Sequence, residues 1–153
     1  MTQTRLGAKV ADTATTPQFA VGARTTRTGK DYVYVLASSA IAANQAAFVD
    51  EDFTAVPVTT TNGTYGGVIG VPEVAIAASS YGWVQTYGNC SVNVAASCAA
   101  DVRLNTTATG GRIDDDGTTG AKVINGVKLN TARSASAGDA PAFLNFPTVG
   151  ATL

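Results

Sequence analysis

The chain has 153 residues, with 10 Lys and Arg against 11 Asp and Glu, two Cys and no His. That length fits one domain or two small ones. The missing His excludes Ser–His–Asp and Cys–His catalysis and histidine-zinc sites, and the 14% share of charged residues is well below that of an ordinary enzyme domain.

Ala and Thr together make up nearly a third of the residues. Such small side chains suit close-packed, β-rich surfaces. Residues 1–30 carry Arg5, Lys9, Arg24, Arg27 and Lys30 against Asp12 alone, whereas residues 31–153 are net acidic. The first part shows no sustained apolar period of either 3.6 or two residues. It is expected to be an extended basic arm without a core of its own, either ordering on an acidic partner or fraying as a solvated terminus. Five basic residues spread over that length with a single Phe19 make no stacking platform, so nucleic acid is not an expected partner. The beginning of the chain, Met1-Thr-Gln-Thr-Arg5, lacks the apolar segment of a secretory signal, and no run approaches 18 apolar residues. The expectation is synthesis in the cytoplasm with neither secretion nor a membrane span.

Residues 31–153 are expected to be one β domain. Asp31-Tyr-Val-Tyr-Val-Leu36 sets Tyr32, Tyr34 and Leu36 on one face of a strand and Val33 and Val35 on the other. Ala40–Ala47 has the only helical propensity in the chain, enough for at most two turns, and reads equally as a loop leading to a strand through Phe48 and Val49. Pro57 puts the extended stretch Phe53–Thr59 at a sheet edge or outside the sheet. Tyr65–Val71 carries the glycines of a bulged strand, Pro72 interrupts it, and Glu73–Ala78 resumes it.

In Tyr81–Tyr87 the alternation sets Tyr81, Trp83, Gln85 and Tyr87 against Val84 and Thr86, and Gly88-Asn89 predicts a tight hairpin into Cys90–Ala95. There Cys90, Val92 and Val94 share a face. Short extended pieces follow at Asp101–Leu104 and Gly111–Ile113. Lys122–Asn130 is two strand halves joined at Asn125-Gly126 by a hairpin turn or a bulge, and Ala142–Phe146 is a last strand ending at Pro147. About eight to ten short strands with turns at this spacing predict an all-β barrel or sandwich.

Few residues offer chemistry. Asp114, Asp115 and Asp116, with Asp101 or Asp139, could hold Ca²⁺, but consecutive Asp before Gly reads more simply as a solvated turn. Asp50-Glu51-Asp52 reads the same way. With only Glu51 and Glu73 as glutamates, a paired-carboxylate glycosidase site is not supported. Gly66-Gly67 and Gly110-Gly111 lack the Lys-Ser/Thr of a phosphate loop. Cys90 and Cys98 form no zinc-type pair and are expected to be reduced thiols. Tyr81, Trp83 and Tyr87 would make a sugar-binding strip on an exposed face and core packing on a buried one. No cofactor, no metal and no enzymatic activity are expected.

Several blocks, taken in order, resemble the decoration (cement) proteins of tailed-phage capsids. They are Gly67-Val-Ile-Gly-Val71, Val74–Ala78, Tyr81-Gly-Trp-Val-Gln-Thr-Tyr-Gly88, Leu104–Gly110, Asp114-Asp-Asp116 with Ala121–Gly126, and Pro141–Pro147. They cover a little over half of the chain. The resemblance implies a structural protein on the outer surface of an assembled shell, bound to the major capsid protein and often trimeric. On that reading Arg5, Lys9, Arg24, Arg27 and Lys30 are the candidate capsid contacts, on an arm laid across acidic subunit surfaces. A carbohydrate- or receptor-binding domain of a phage fibre or spike is the alternative.

Overall fold

The structure, a computed structural model, describes residues 7–153. It is all-β, with ten strands: β1 (Arg24–Arg27), β2 (Lys30–Ala37), β3 (Ala47–Val49), β4 (Thr54–Pro57), β5 (Val68–Gly70), β6 (Ser80–Val94), β7 (Leu104–Thr106), β8 (Ile113–Asp114), β9 (Lys122–Leu129) and β10 (Gly138–Thr152). Hydrogen-bonded neighbours run β1-β2-β4-β3-β5-β10-β6-β8-β7-β9, and two further pairings, β2–β6 and β9–β10, close this sheet on itself. One closed circuit consists of β2, β4, β3, β5, β10 and β6; the other consists of β6, β8, β7, β9 and β10. They share β6 and β10.

Each shared strand is 15 residues long and changes partner along its length. β6 pairs with β2 through Ser80–Tyr87 and with β10 through Tyr87–Val94. Gly88 sits at the change with φ +100°, and a Cβ there would lie 2.7 Å from the Gly29 carbonyl oxygen. Gly88-Asn89 is therefore a bend within one strand, not the expected hairpin: glycine supplies the positive φ, and the non-local partners β2 and β10 keep the chain extended on both sides. β10 likewise continues beyond Pro147 instead of ending there. Its ladder with β9 skips from Leu144↔Val127 to Thr148↔Asn125, so Pro147 falls in a gap where no donor is needed. Opposite that gap Gly126 has φ +78°; β9 runs on through Asn125-Gly126 without a hairpin turn, and the extra residues of the irregularity, 145–147, belong to β10.

Of the two readings of Ala40–Ala47, the loop leading to a strand through Phe48 and Val49 holds, because its amides donate elsewhere: Ile41 to Ile76, Asn44 to Pro72 and Ala46 to Gly111, each at 2.9 Å. Other expectations change. Glu73–Ala78 forms a loop with one bridge, Ile76 to Ile41, and not a strand. β4 lies between β2 and β3 and not at an edge, with Pro57 as its last residue. The expected boundary between residues 30 and 31 falls inside the β1–β2 hairpin, where Arg27 pairs with Lys30.

Three clusters make the core. Val33, Val35, Ala47, Val49, Ala55 and Val84 join strands of the first circuit. A larger cluster draws Val92, Leu104, Ile113, Ile124 and Leu144 from every strand of the second circuit and adds Phe48 and Ile69. The third contains Tyr32, Tyr34 and Trp83 with Ala8, Val10 and Phe19 packed over them. The two-faced reading of Tyr32–Val35 is thus realised, with valines in one cluster and tyrosines in another. The segment before β1 is held by its own contacts: the Phe19 ring lies 5.3 Å from Trp83 and 5.4 Å from Tyr34, and the Gln18 amide donates to the Tyr34 hydroxyl at 3.1 Å.

Phe19→Ala is expected to lower the unfolding free energy by about 1–3 kcal/mol, less than a full core truncation because the ring is half-buried. It should also red-shift the emission of Trp83, the single Trp of the chain. Unchanged emission in the folded variant would mean that the segment does not cover the indole.

Candidate functional site

Double closure leaves β1 as the one strand among the described residues with a single neighbour. Every strand but β1 has two or three hydrogen-bonded neighbours among the described residues; β1 has only β2. Its sequence, Arg-Thr-Thr-Arg, keeps that edge polar, and a charged edge resists non-specific strand pairing.

The candidate capsid contacts do not gather on one face. Arg5 lies outside the described residues. Lys9 is exposed. Arg24 and Arg27 are opposed by Val33 and Lys30 across β1–β2, and strand alternation sends them to opposite faces. Arg27 turns toward the N-terminal segment, donating from Nη1 to the Ala8 carbonyl at 3.0 Å. Lys30 reaches Glu73 at 3.4 Å. Lys9 and Arg24 have no ion-pair partner among the described residues.

Arg24 instead borders a cleft of about 510 Å³, with Asp50, Glu51, Phe53, Tyr65 and Phe146 around it. Tyr65 is 83% exposed and Phe146 47% exposed. Phe53 and Phe146 have φ of +61° and +47°, a costly conformation for bulky side chains. Each is held there by its surroundings. The Phe53 amide and carbonyl are bonded to Asp50 and Leu36, while Phe146 occupies the gap in the β9–β10 ladder and stacks on Tyr87 at 5.2 Å. No pattern in the sequence pointed to this cleft, because Phe53, Tyr65 and Phe146 come from three separate turns and bulges.

Of the two readings of Tyr81, Trp83 and Tyr87, core packing holds for Tyr81 and Trp83, and the three rings form no exposed strip. Trp83 is 2% exposed under Phe19, Tyr81 stacks on Tyr34, and Tyr87 joins Phe143 and Phe146. Asp31 pairs with Tyr87 and Tyr32 with Gln85, so Thr86 is an extra residue that breaks the alternation between Trp83 and Tyr87. The acidic residues also separate. Asp101 pairs with Lys128 at 3.1 Å, and Asp139 accepts from Asn44 and Asn93, so neither joins Asp114–Asp116. Burial, with Asp115 and Asp116 adding to it, holds the Asp114 carboxyl above its ordinary value.

A second, polar pocket of about 380 Å³ lies beside Lys30, Glu73, Gln85 and Cys90. The Tyr32 hydroxyl donates to Glu73 Oε1 at 2.5 Å, and burial together with that carboxylate raises the phenol pKa. Gln85 is fully buried and donates from Nε2 to the Tyr87 and Asn89 carbonyls, both at 2.9 Å, which braces the bend at Gly88. Cys90 and Cys98 are both free thiols. No protein-family model matches the chain, and no curated protein matches its sequence.

Burial pushes the Cys90 thiol up to about 12. At pH 8 such a thiol is thiolate in only about one molecule in 10⁴, against roughly a quarter for an ordinary cysteine. Peptide-mapped labelling by a disulfide reagent is therefore expected to be at least about a hundredfold slower at native Cys90 than in the urea-unfolded chain. The folded form keeps a proton that the unfolded form loses first, so this group's contribution to stability is complete below about pH 9 and declines towards pH 12. Comparable labelling rates in both states would show that the thiol is open to water.

Proposed function

We propose that the protein is a non-enzymatic virion component that binds the outer surface of an assembled phage capsid and stabilises it by bridging major capsid protein subunits. The observation that carries this reading is β1, the one strand among the described residues with a single neighbour, with its two arginines and the N-terminal segment packed nearby, on a sheet that closes on itself. A closed sheet does not polymerise through its edges, yet one polar edge with the exposed Arg24 and the exposed Lys9 offers a defined place to dock. The ordered resemblance of Gly67–Val71, Tyr81–Gly88, Ala121–Gly126 and Pro141–Pro147 to decoration proteins supports the same reading.

Lys9 and Arg24 are the contacts best placed for it, being free of internal ion pairs. Arg27 and Lys30 are occupied within the fold and act by holding the segment and the hairpin in place. Self-association as a homotrimer belongs to this reading, since multivalent attachment turns modest contacts into firm binding. The outer capsid surface is the corresponding location.

A second reading rests on the cleft. Its exposed Tyr65 and Phe146 beside Asp50, Glu51 and Arg24 combine apolar faces with a few polar groups, as sugar-binding sites do. It keeps open a carbohydrate- or receptor-binding role in a phage fibre or spike, at a place other than Trp83.

The deciding experiment is co-sedimentation with undecorated capsid shells, counting bound copies per shell. Saturation at a fixed multiple of the shell's symmetry with a raised shell melting temperature is expected. The double variant Lys9→Glu, Arg24→Glu should weaken binding at least about tenfold and flatten its salt dependence. Charge reversal is preferable to truncation, because removing residues 1–28 would strip β1 and uncover Trp83. Absence of co-sedimentation by the wild-type protein overturns the capsid reading, and glycan binding lost in Tyr65→Ala would establish the second.

A further inference from the structure

We propose that Cys98, Asp114 and Asp115 bind one thiophilic divalent cation of the zinc class, with the side-chain oxygen of Asn105 completing the donor set. The Cys98 Sγ and one carboxylate oxygen from each Asp lie within 4.8 Å of one another. Bond lengths of about 2.0–2.3 Å around a tetrahedral cation separate its donors by about 3.3–3.8 Å, so closing on an ion takes side-chain adjustments of roughly 1 Å. The backbone already fixes these residues. The Cys98 carbonyl accepts from Arg133 at 2.8 Å, the Ser97 amide donates to Ser134 at 2.8 Å, and Asp114 is in the β7–β8 ladder.

Asn105 is the independent observation. It stands directly opposite Asp114 across β7–β8, so the two side chains share a face. It is fully buried, and its Nδ2 donates to the Asp115 carbonyl at 3.3 Å. Its Oδ1 is buried and has no hydrogen-bond partner. Folded proteins rarely leave a buried amide oxygen without a partner, and a cation beside Asp114 would supply one.

Charge points the same way. Asp114, Asp115 and Asp116 are consecutive, and none has an ion-pair partner among the described residues. Arg103, whose guanidinium lies alongside Gly117, makes no ion pair with them. The donor chemistry then selects the metal. Ca²⁺ and Mg²⁺ take oxygen ligands alone, whereas a thiolate with carboxylates and a carbonyl-type oxygen suits Zn²⁺ or Cd²⁺. The cation enters between the half-buried carboxylates, the thiol proton leaves to solvent, and the bound ion joins the loop after β6 to β8.

Cadmium titration tests the site, because Cd²⁺ bound to thiolate gives an ultraviolet charge-transfer band. The wild-type protein and Cys90→Ser are both expected to show the band saturating at one equivalent. Cys98→Ser should abolish it, and Asn105→Ala and Asp115→Asn should each weaken binding at least tenfold. Zn²⁺ should raise the melting temperature of the wild-type protein, and Ca²⁺ at the same concentration should not. Should Cys98→Ser fail to fold, the wild-type and Cys90→Ser titrations decide alone. No band in the wild-type protein, a band lost in Cys90→Ser, or equal stabilisation by Ca²⁺ overturns the assignment.

Discussion

Two strands hold the molecule together because each serves two closed circuits. β6 and β10 run antiparallel from Tyr87↔Asn145 to Val94↔Gly138, and each extends beyond that ladder to pair with other strands. A strand can turn from one partner to another only where its pleat is interrupted. The interruptions are Gly88 with the extra Thr86 in β6, and Phe146 in β10 opposite Gly126 in β9. Those bends set the separation of the apolar clusters, position Gln85 to brace Gly88 and put Phe146 on the rim of the cleft. A side chain at Gly88 or Gly126 would meet backbone carbonyl oxygen at under 3 Å, so the bends leave no room for one.

The sequence carried the local part of this design and left the non-local part open. The alternation of Tyr32–Val35 shows a strand between two apolar environments because each environment begins with the next side chain. Gly88-Asn89 announces a positive φ, but hairpin turns and strand bends both satisfy that need. What decides between them is whether β2 and β10 are at hand to pair on both sides, and that depends on residues some 50 positions away. The same holds for Pro147, tolerated in a strand because the facing register has a gap. Ala40–Ala47 left helix and loop equally open for a related reason: helical propensity is weak, and it is the acceptors at Ile76, Pro72 and Gly111 that decide for the loop leading into β3.

Candidate sites were legible in proportion to how local they are. The excess of basic residues before position 31 can be counted, but their division between two faces of β1 needs the pairing Arg24↔Val33 and Arg27↔Lys30. One extra residue, Thr86, is enough to send Tyr87 away from Trp83 and dissolve the aromatic strip that simple alternation draws. Asp114–Asp116 looks like a solvated turn in sequence because its neighbours Cys98 and Asn105 arrive from other segments.

Composition and topology meet in the matter of association. Scarce long charged side chains and abundant Ala and Thr lower the side-chain entropy lost when a surface is covered, which favours binding but also favours unwanted binding. Closing the sheet twice removes most of the edges through which unwanted pairing would occur, and β1, the one described strand with a single neighbour, carries Arg24 and Arg27. Capsid binding as proposed would call for this combination: faces that pack at little entropic cost, and an edge that does not pair with its own kind. The packing of Phe19 and Ala8 against Trp83 and Tyr34 adds a further condition, since a segment ordered before binding does not lose that entropy on the surface.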